Sequence, residues 1–234
     1  YEKKKNEIKI KQKIQDTYIS IDSNSIAALD IIRRFDENTN GVFLVGETGT
    51  GKKVVGDLVN EIINDSNTYN HLNCATLNSS TIMSELFGHV KGAFTGATSD
   101  HIGILERSNN GCLFLDEIHE MPFEAQKALL TFLEDGIVTP LGGKKSKKLN
   151  VKVICAARED IEQRIENGQF KDDLYFRLSK KRINLLPLRL RRKDIMFQID
   201  HYLSKKLRKS VAFVLKEEAK LLLNNYAWPG NTRE

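Results

Sequence analysis

Two short stretches of this 234-residue chain combine residue types that handle phosphate. In Gly46-Glu47-Thr48-Gly49-Thr50-Gly51-Lys52-Lys53, the glycines let a loop approach an anion through its own N–H groups, and the Lys52 ammonium neutralises terminal phosphate charge. Such a loop usually follows its lysine with Ser or Thr for Mg²⁺; here Lys53 stands there, and a cation cannot take that role. The second stretch, Leu113-Phe114-Leu115-Asp116-Glu117, is an apolar run ending in two acids. Beside a phosphate loop, Asp116 is placed to hold the water shell of Mg²⁺, and Glu117 to orient or deprotonate an attacking water.

A third stretch, Gly92-Ala93-Phe94-Thr95-Gly96-Ala97, sets one phenylalanine between glycines, with apolar spacing that fits neither a strand nor a helix. Glycines flanking Phe94-Thr95 permit backbone angles other residues avoid, so a tight loop tip carrying one aromatic is the simplest local reading.

The elements that must position these residues are legible as apolar patterns. GVFLV (41–45), GCLFL (111–115) and VKVICAA (151–157) have the continuous β-branched and aromatic character of strands buried on both faces. Between them, Val54, Val55, Leu58, Val59, Ile62 and Ile63 form one helical stripe. Phe123, Ala128, Leu129, Phe132 and Leu133 form another, starting at Pro122 and stopping at Gly136. Strands alternating with helices predict an α/β fold with a parallel sheet covered on both sides. Beyond about residue 185 the strand signals vanish. Met196, Ile199, Leu203 and Leu207, then Leu215, Ala219, Leu222 and Tyr226, predict a small helical lid, joined near Leu186-Pro187. The expected division is a linker or tail at 1–17, the nucleotide-binding core at 18–184 and the lid at 185–234. Residues 1–17 alternate lysine with isoleucine and read equally as the end of a helix or as a tail. The chain lacks an initial Met and stops at Asn231-Thr232-Arg233-Glu234 without a closing element, as expected of a fragment of a longer protein.

Composition narrows the class. An apolar fraction of 40% with 29% charged residues is ordinary for a globular protein. The net charge of +5 lies partly in KKK at 3–5 and KKSKK at 144–148, which lack interleaved aromatics and read as a solvated tail and hairpin rather than a nucleic-acid surface. Cys74, Cys112 and Cys155 form no CxxC pair and suggest neither a disulfide framework nor a zinc site. No run is long enough to span a membrane and no signal peptide is evident, so the cytoplasm is the expected compartment.

GETGTGK, ELFGHVKGAFTGA, GCLFLDEI, FKDDLYFRL, LPLRLRRKDI and WPGNTRE occur here in the order of, and at spacings similar to, the central AAA+ ATPase domain of bacterial enhancer-binding proteins, the activators of sigma-54 RNA polymerase. The resemblance runs from about residue 18 to the end and implies ATP and Mg²⁺ as cofactors, held by Gly46 through Lys53 and by Asp116. It implies that residues 92–97 tip a mobile loop, with Phe94 contacting sigma-54 holoenzyme and Thr95 supporting it, and that hydrolysis moves this loop. It further implies that Asn73 holds Glu117 as a switch, that Arg177 is a finger reaching the neighbouring subunit's nucleotide, and that Arg233 senses phosphate from the lid. A homo-oligomeric ring, hexamer or heptamer, follows from the finger, with DNA contacted only through domains outside this chain.

The chain departs from the family pattern at Lys53, where the family usually has Glu; at Lys171, where it has Arg; and at Ala157-Arg158, where it has Thr-Asn. These departures support an alternative, a nucleotide-binding switch with little turnover. KKSKK supports another, a P-loop remodeller stimulated by nucleic acid.

Overall fold

The computed structural model describes residues 10, 12–14, 16–36, 39–64, 66, 68–207 and 215–234. They fall into two compact units: Tyr1–Arg34, Gly46–Leu58 and Ile183–Glu234 in one, Phe35–Val45 and Val59–Arg182 in the other.

The second unit is built on a parallel sheet. Strands β1 (Gly41–Val45), β2 (Tyr69–Asn73), β3 (Gly111–Asp116) and β6 (Val151–Ala157) lie in the order β2-β3-β6-β1, and β7 (Arg182–Asn184) extends the sheet beyond β1. The three apolar runs are thus the three adjacent strands β3, β6 and β1. Their inner residues are almost wholly buried, as expected where helices cover both faces. The register pairs Val45 with Ala157, Leu115 with Cys155, and Asn73 with Asp116. The carboxyl ends of all four strands therefore share one edge, where ligands of open parallel sheets bind. β2 escapes the apolar criterion because it is an edge strand, and its residues Tyr69-Asn70-His71-Leu72-Asn73 are all at least partly exposed.

Around the sheet lie α3 (Ser79–Phe87), α4 (Ile104–Arg107), α5 (Phe123–Asp135), α6 (Ile161–Glu166) and α7 (Asp172–Leu178), with a short antiparallel pair of β4 (Ile137–Val138) and β5 (Lys147–Lys148). Helix α5 follows Pro122 and ends on Gly136 at φ 72°, the left-handed cap that glycine adopts without strain. Its buried residues are Ala125, Gln126, Leu129 and Phe132. Phe123, expected in the stripe, is instead exposed, with the ammonium groups of Lys127 and Lys171 over its ring. Lys171 thus sits on an aromatic face.

In the other unit, α1 (Ser23–Leu29) is capped by Asp22, whose carboxylate accepts from Ser25 N at 2.9 Å. Helix α2 (Lys52–Ile63) starts here and continues into the sheet unit. Of its predicted stripe, Val55, Leu58, Val59 and Ile63 are buried, whereas Val54 is exposed. Residues 10, 12–14 and 16–17 are helical, and Ile10 and Ile14 are buried, so the helical reading of this stretch holds over its described part; residues 1–9, 11 and 15 lie outside it. Helices α8 (Lys193–Leu207) and α9 (Glu217–Asn225) form the carboxyl-terminal part. Of α8, Ile195 is buried, whereas Met196, Ile199 and Leu203 of the expected stripe are only half-buried. The α9 stripe does not enter a core: Leu222 is 73% and Tyr226 48% exposed.

Candidate functional site

The phosphate loop leaves β1 directly after Val45 and opens α2, whose first N–H groups have no intrahelical partner. Gly49 and Gly51 adopt φ of +81° and +103°. A methyl group on Gly49 would meet Gly230 O at 2.0 Å, so this glycine is required by both conformation and space. Lys52 is nearly buried, with Nζ donating to Gly46 O at 2.6 Å and Glu47 O at 3.1 Å, and Thr50 Oγ1 donates to Glu47 O at 2.8 Å. Glu47 itself is clamped: Arg189 donates from Nη1 to Oε2 at 2.7 Å and from Nη2 to Oε1, and Asn231 Nδ2 donates to Oε2 at 3.2 Å. The hydrogen bond from Arg189 holds this carboxyl below the usual carboxylate range despite its desolvation. Asn231 Nδ2 also donates to Thr48 O at 2.9 Å. Lys53 does not join this arrangement with its side chain; its Nζ lies 3.3 Å from Asp57, one turn along α2.

A buried ion pair supports the loop from behind. Arg191 and Asp194 are 1% and 0% exposed and meet at 3.2 Å. Ser20 Oγ donates to Asp194 Oδ2 at 2.6 Å, and Ile21 N and Asp22 N donate to Oδ1 at 2.8 and 3.0 Å, so the carboxylate is fully satisfied. Arg191 Nη2 and the Tyr18 hydroxyl both donate to Thr50 O, at 3.4 and 3.3 Å. LPLRLRRKDI therefore supplies Arg189 to Glu47, and Arg191 with Asp194 to the base of the loop. Next to it opens a cavity of about 700 Å³ lined by Tyr18, Val54, Ile195, Ile199, Tyr202 and Arg233, among others. Arg233, in an exposed turn, stands beside Gly49, where an added methyl would lie 3.1 Å from its Cβ.

In the sheet unit, Asp116 ends β3 and accepts from Glu117 N through Oδ1 at 3.0 Å. Glu117 follows at φ 50°, ψ 43°, a left-handed conformation that costs a non-glycine residue about 1 kcal/mol or more. Its Oε2 lies 3.2 Å from His119 Nε2 and 3.6 Å from Arg158 Nε. His119 is 2% exposed, and burial, with a further contribution from Arg164, pushes its pKa down to about 4. The expected Asn73–Glu117 contact is absent among the described residues. Asn73 Oδ1 instead accepts from Ala75 N at 2.9 Å, capping the turn that follows β2. This local cap competes successfully for a short amide. Ala157 ends β6 fully buried, offering a methyl where a polar sensor was expected. Burial, reinforced by Asp116 and Glu117, raises the nearby Cys74 thiol to about 12, so it is no nucleophile.

Within its own unit the loop offers an ammonium, glycine-permitted backbone and a helix N-terminus, which fit the phosphates of a nucleotide. In the sheet unit, Asp116 at the end of β3 offers a carboxylate of the kind that holds the water shell of Mg²⁺. Among the described residues no group of three His, Cys, Asp or Glu side chains gathers to hold a metal.

The Gly92–Ala97 loop closes on itself, with Gly92 N donating to Ala97 O at 2.8 Å and Ala97 N to Phe94 O at 3.0 Å. Gly92 and Gly96 have φ of 82° and 101° with open space around them. Phe94 is 44% exposed and rests edge-on against His89, ring centroids 5.0 Å apart. Thr95 is exposed, whereas Ala97, expected at the contact surface, is buried at 7% and anchors the loop. Arg177, on α7, is exposed, and its Nη2 donates to Leu133 O at 2.7 Å.

Residues 19–184 match the family described as the Sigma-54 interaction domain. The chain is 38% identical over 213 residues to the Nif-specific regulatory protein of Azospirillum brasilense, covering 90% of this chain and 34% of that protein. It is 40% identical over 207 residues to the DNA-binding transcriptional regulator NtrC of Escherichia coli strain K12, covering 87% and 44%. It thus spans less than half the length of these curated relatives. The structure of NtrX from Brucella abortus in complex with ATP is similar, with a TM-score of 0.79, 26% identity, and 96% of this chain and 53% of that chain covered. Hsp104 of S. cerevisiae, in a complex with casein, shares the fold alone, with a TM-score of 0.67, 18% identity, and 97% and 44% covered. Among the described residues no helix is long and apolar enough to cross a membrane.

Proposed function

The chain belongs to the sigma-54 interaction domain family and has an AAA+ fold, and on that premise we propose that it hydrolyses ATP with Mg²⁺ to drive its 92–97 loop against sigma-54 RNA polymerase holoenzyme in the cytoplasm. Lys52 and the loop N–H groups hold the β- and γ-phosphates, Asp116 takes the water shell of Mg²⁺, and Glu117 receives the proton of the attacking water. The cavity lined by Tyr18, Val54 and Ile195 takes the base, and Arg233 the lid-side phosphate contact. Arg177 stabilises transition-state charge on a neighbour's nucleotide, which requires a ring of subunits. Asn73, bound to Ala75 N, acts as a switch only if that cap opens.

The observation that carries this reading is Phe94. It is half-exposed on a tip formed by two left-handed glycines, a placement that offers an aromatic anchor to a partner. One observation favours a second reading, a nucleotide-dependent switch with little turnover: the β6 end presents Ala157 and Arg158 instead of short polar groups. A nucleic-acid motor is less well supported, because Lys147 of the KKSKK hairpin is engaged with Glu106.

Steady-state ATP turnover, measured alongside binding of labelled sigma-54, tests the proposal. Turnover that disappears in Lys52→Ala and Glu117→Gln, with sigma-54 binding lost in Phe94→Ala, is expected. Nucleotide binding without turnover would instead support the switch. Stimulation by DNA but not by sigma-54 would replace the assigned partner.

A further inference from the structure

The side chains around Glu117 Oε2 have no task in the hydrolysis outlined above. The left-handed turn at Glu117 directs its side chain toward the end of β6. There Oε2 is sealed from solvent with no hydrogen bond completed to it, and His119 Nε2, 3.2 Å away, is likewise sealed and unmatched. Two buried complementary atoms left in this way are each costly, and a small rotation of either side chain joins them.

The other imidazole nitrogen decides where the proton sits. His119 Nδ1 accepts from Arg158 N at 3.4 Å, so the neutral ring carries its hydrogen on Nε2, facing Glu117. Burial keeps that ring neutral near neutral pH. Glu120 Oε1 also lies 3.4 Å from Nε2, but it is paired with Arg164 Nη2 at 3.0 Å. The Arg158 guanidinium approaches the same Glu117 oxygen, Nε at 3.6 Å.

We propose that His119 and Arg158 are positioning residues for Glu117: the Nε2–H and the guanidinium hold Oε2, leaving Oε1 as the oxygen that takes the proton from the attacking water. In that step a water O–H bond breaks and its proton goes to Oε1. The water oxygen bonds to the γ-phosphorus, and the bond from that phosphorus to the ADP oxygen breaks, releasing ADP and phosphate. Glu117 is thus oriented from β6 and from its own turn, not by Asn73. The proposal rests on the ATP-hydrolysis reading.

The test uses the whole chain with His119→Leu, which removes the donor at similar volume; His119→Gln, whose amide N–H falls near the Nε2 position; and Arg158→Ala. The readouts are kcat, Kd for a fluorescent ATP analogue, and ¹⁵N NMR of the histidines, with His119 assigned by its loss in the variants. His119→Leu is expected to lower kcat about tenfold or more with Kd within about twofold of wild type, His119→Gln to recover most of that loss, and Arg158→Ala to lower kcat with Kd unchanged. An unchanged or raised kcat in His119→Leu overturns the proposal. So does loss of kcat and Kd together in both His119 variants, which marks a structural role. Nucleotide binding without wild-type turnover means that the hydrolysis reading itself has failed, and the NMR then decides the geometry. An Nε2–H tautomer whose Nε2 shift moves in Glu117→Gln supports the contact, and an Nδ1–H tautomer, or a shift indifferent to Glu117→Gln, overturns it.

Discussion

His119 carries a pH signature that can be read without turnover. Its folded pKa, pushed down from 6.5 to about 4 chiefly by burial, means that the unfolded chain binds a proton more readily than the folded one between those values. Stability therefore rises with pH in that window, is complete above about 6.5, and is lost progressively as pH falls toward 4. Urea midpoints measured from pH 7.5 down to 4.5 should show this decline, and His119→Gln should flatten it; an unchanged slope in the variant would assign the decline to other groups. The parts of the site that sequence makes legible are those whose residue type and spacing lie within one loop. Lys52 lies in the loop that follows β1, and Asp116 and Glu117 lie at the end of β3, as the apolar runs before them indicate. His119 is not legible in the sequence although it lies two residues beyond Glu117, because a lone histidine in DEIHEM has no spacing to interpret. Its partnership with Arg158 arises only from the β3–β6 register, which brings the two strand ends together. The residue type of Asn73 fits a switch, and here its side chain accepts from a near backbone donor, Ala75 N.

Among the elements, the 92–97 loop has the most direct consequence. An added methyl at Gly92 or Gly96 meets nothing within 4 Å, so alanine there is opposed only by the positive φ, at roughly 1 kcal/mol each. Because the two costs add, Gly92→Ala/Gly96→Ala should lower the thermal midpoint by only several degrees, about 2–4 °C per kcal/mol in a chain of this size, while weakening sigma-54 binding in titrations. Equal binding by the double variant would show that the loop does not need this shape. The same logic explains which elements sequence reveals. β1, β3 and β6 are covered on both faces and so read as unbroken apolar runs. β2 is an edge strand of mixed polarity and leaves no such trace, and β7 spans three residues. Helices were located by their stripes, yet Val54 and Phe123 at their starts are exposed, since periodicity gives the buried face but not where burial begins. In α9 the apolar pattern predicts burial, but Leu222 and Tyr226 are exposed.

At the scale of the whole molecule, Arg177 decides whether one chain suffices. Its guanidinium donates to Leu133 O, a carbonyl of its own chain, and among the described residues no carboxylate pairs with it. That single bond fixes the arginine to α5 while leaving other donors of the fork facing outward, next to Phe176, which is 67% exposed. A ring built from head-to-tail contacts brings such a group to the next subunit's phosphates, because each subunit presents one face and receives the other. Lys52→Ala and Arg177→Ala should therefore each be inactive alone, one for want of a phosphate ligand and the other for want of a finger. Mixed, they should recover activity, because a subunit lacking Arg177 retains a sound phosphate loop and a neighbour lacking Lys52 still supplies the finger. For random mixing at equal amounts about one interface in four has that arrangement, so recovery should approach about a quarter of wild-type turnover and fall on dilution as the assembly dissociates. Arg177 acting within its own chain would give no recovery at any ratio, since neither variant then holds a complete site.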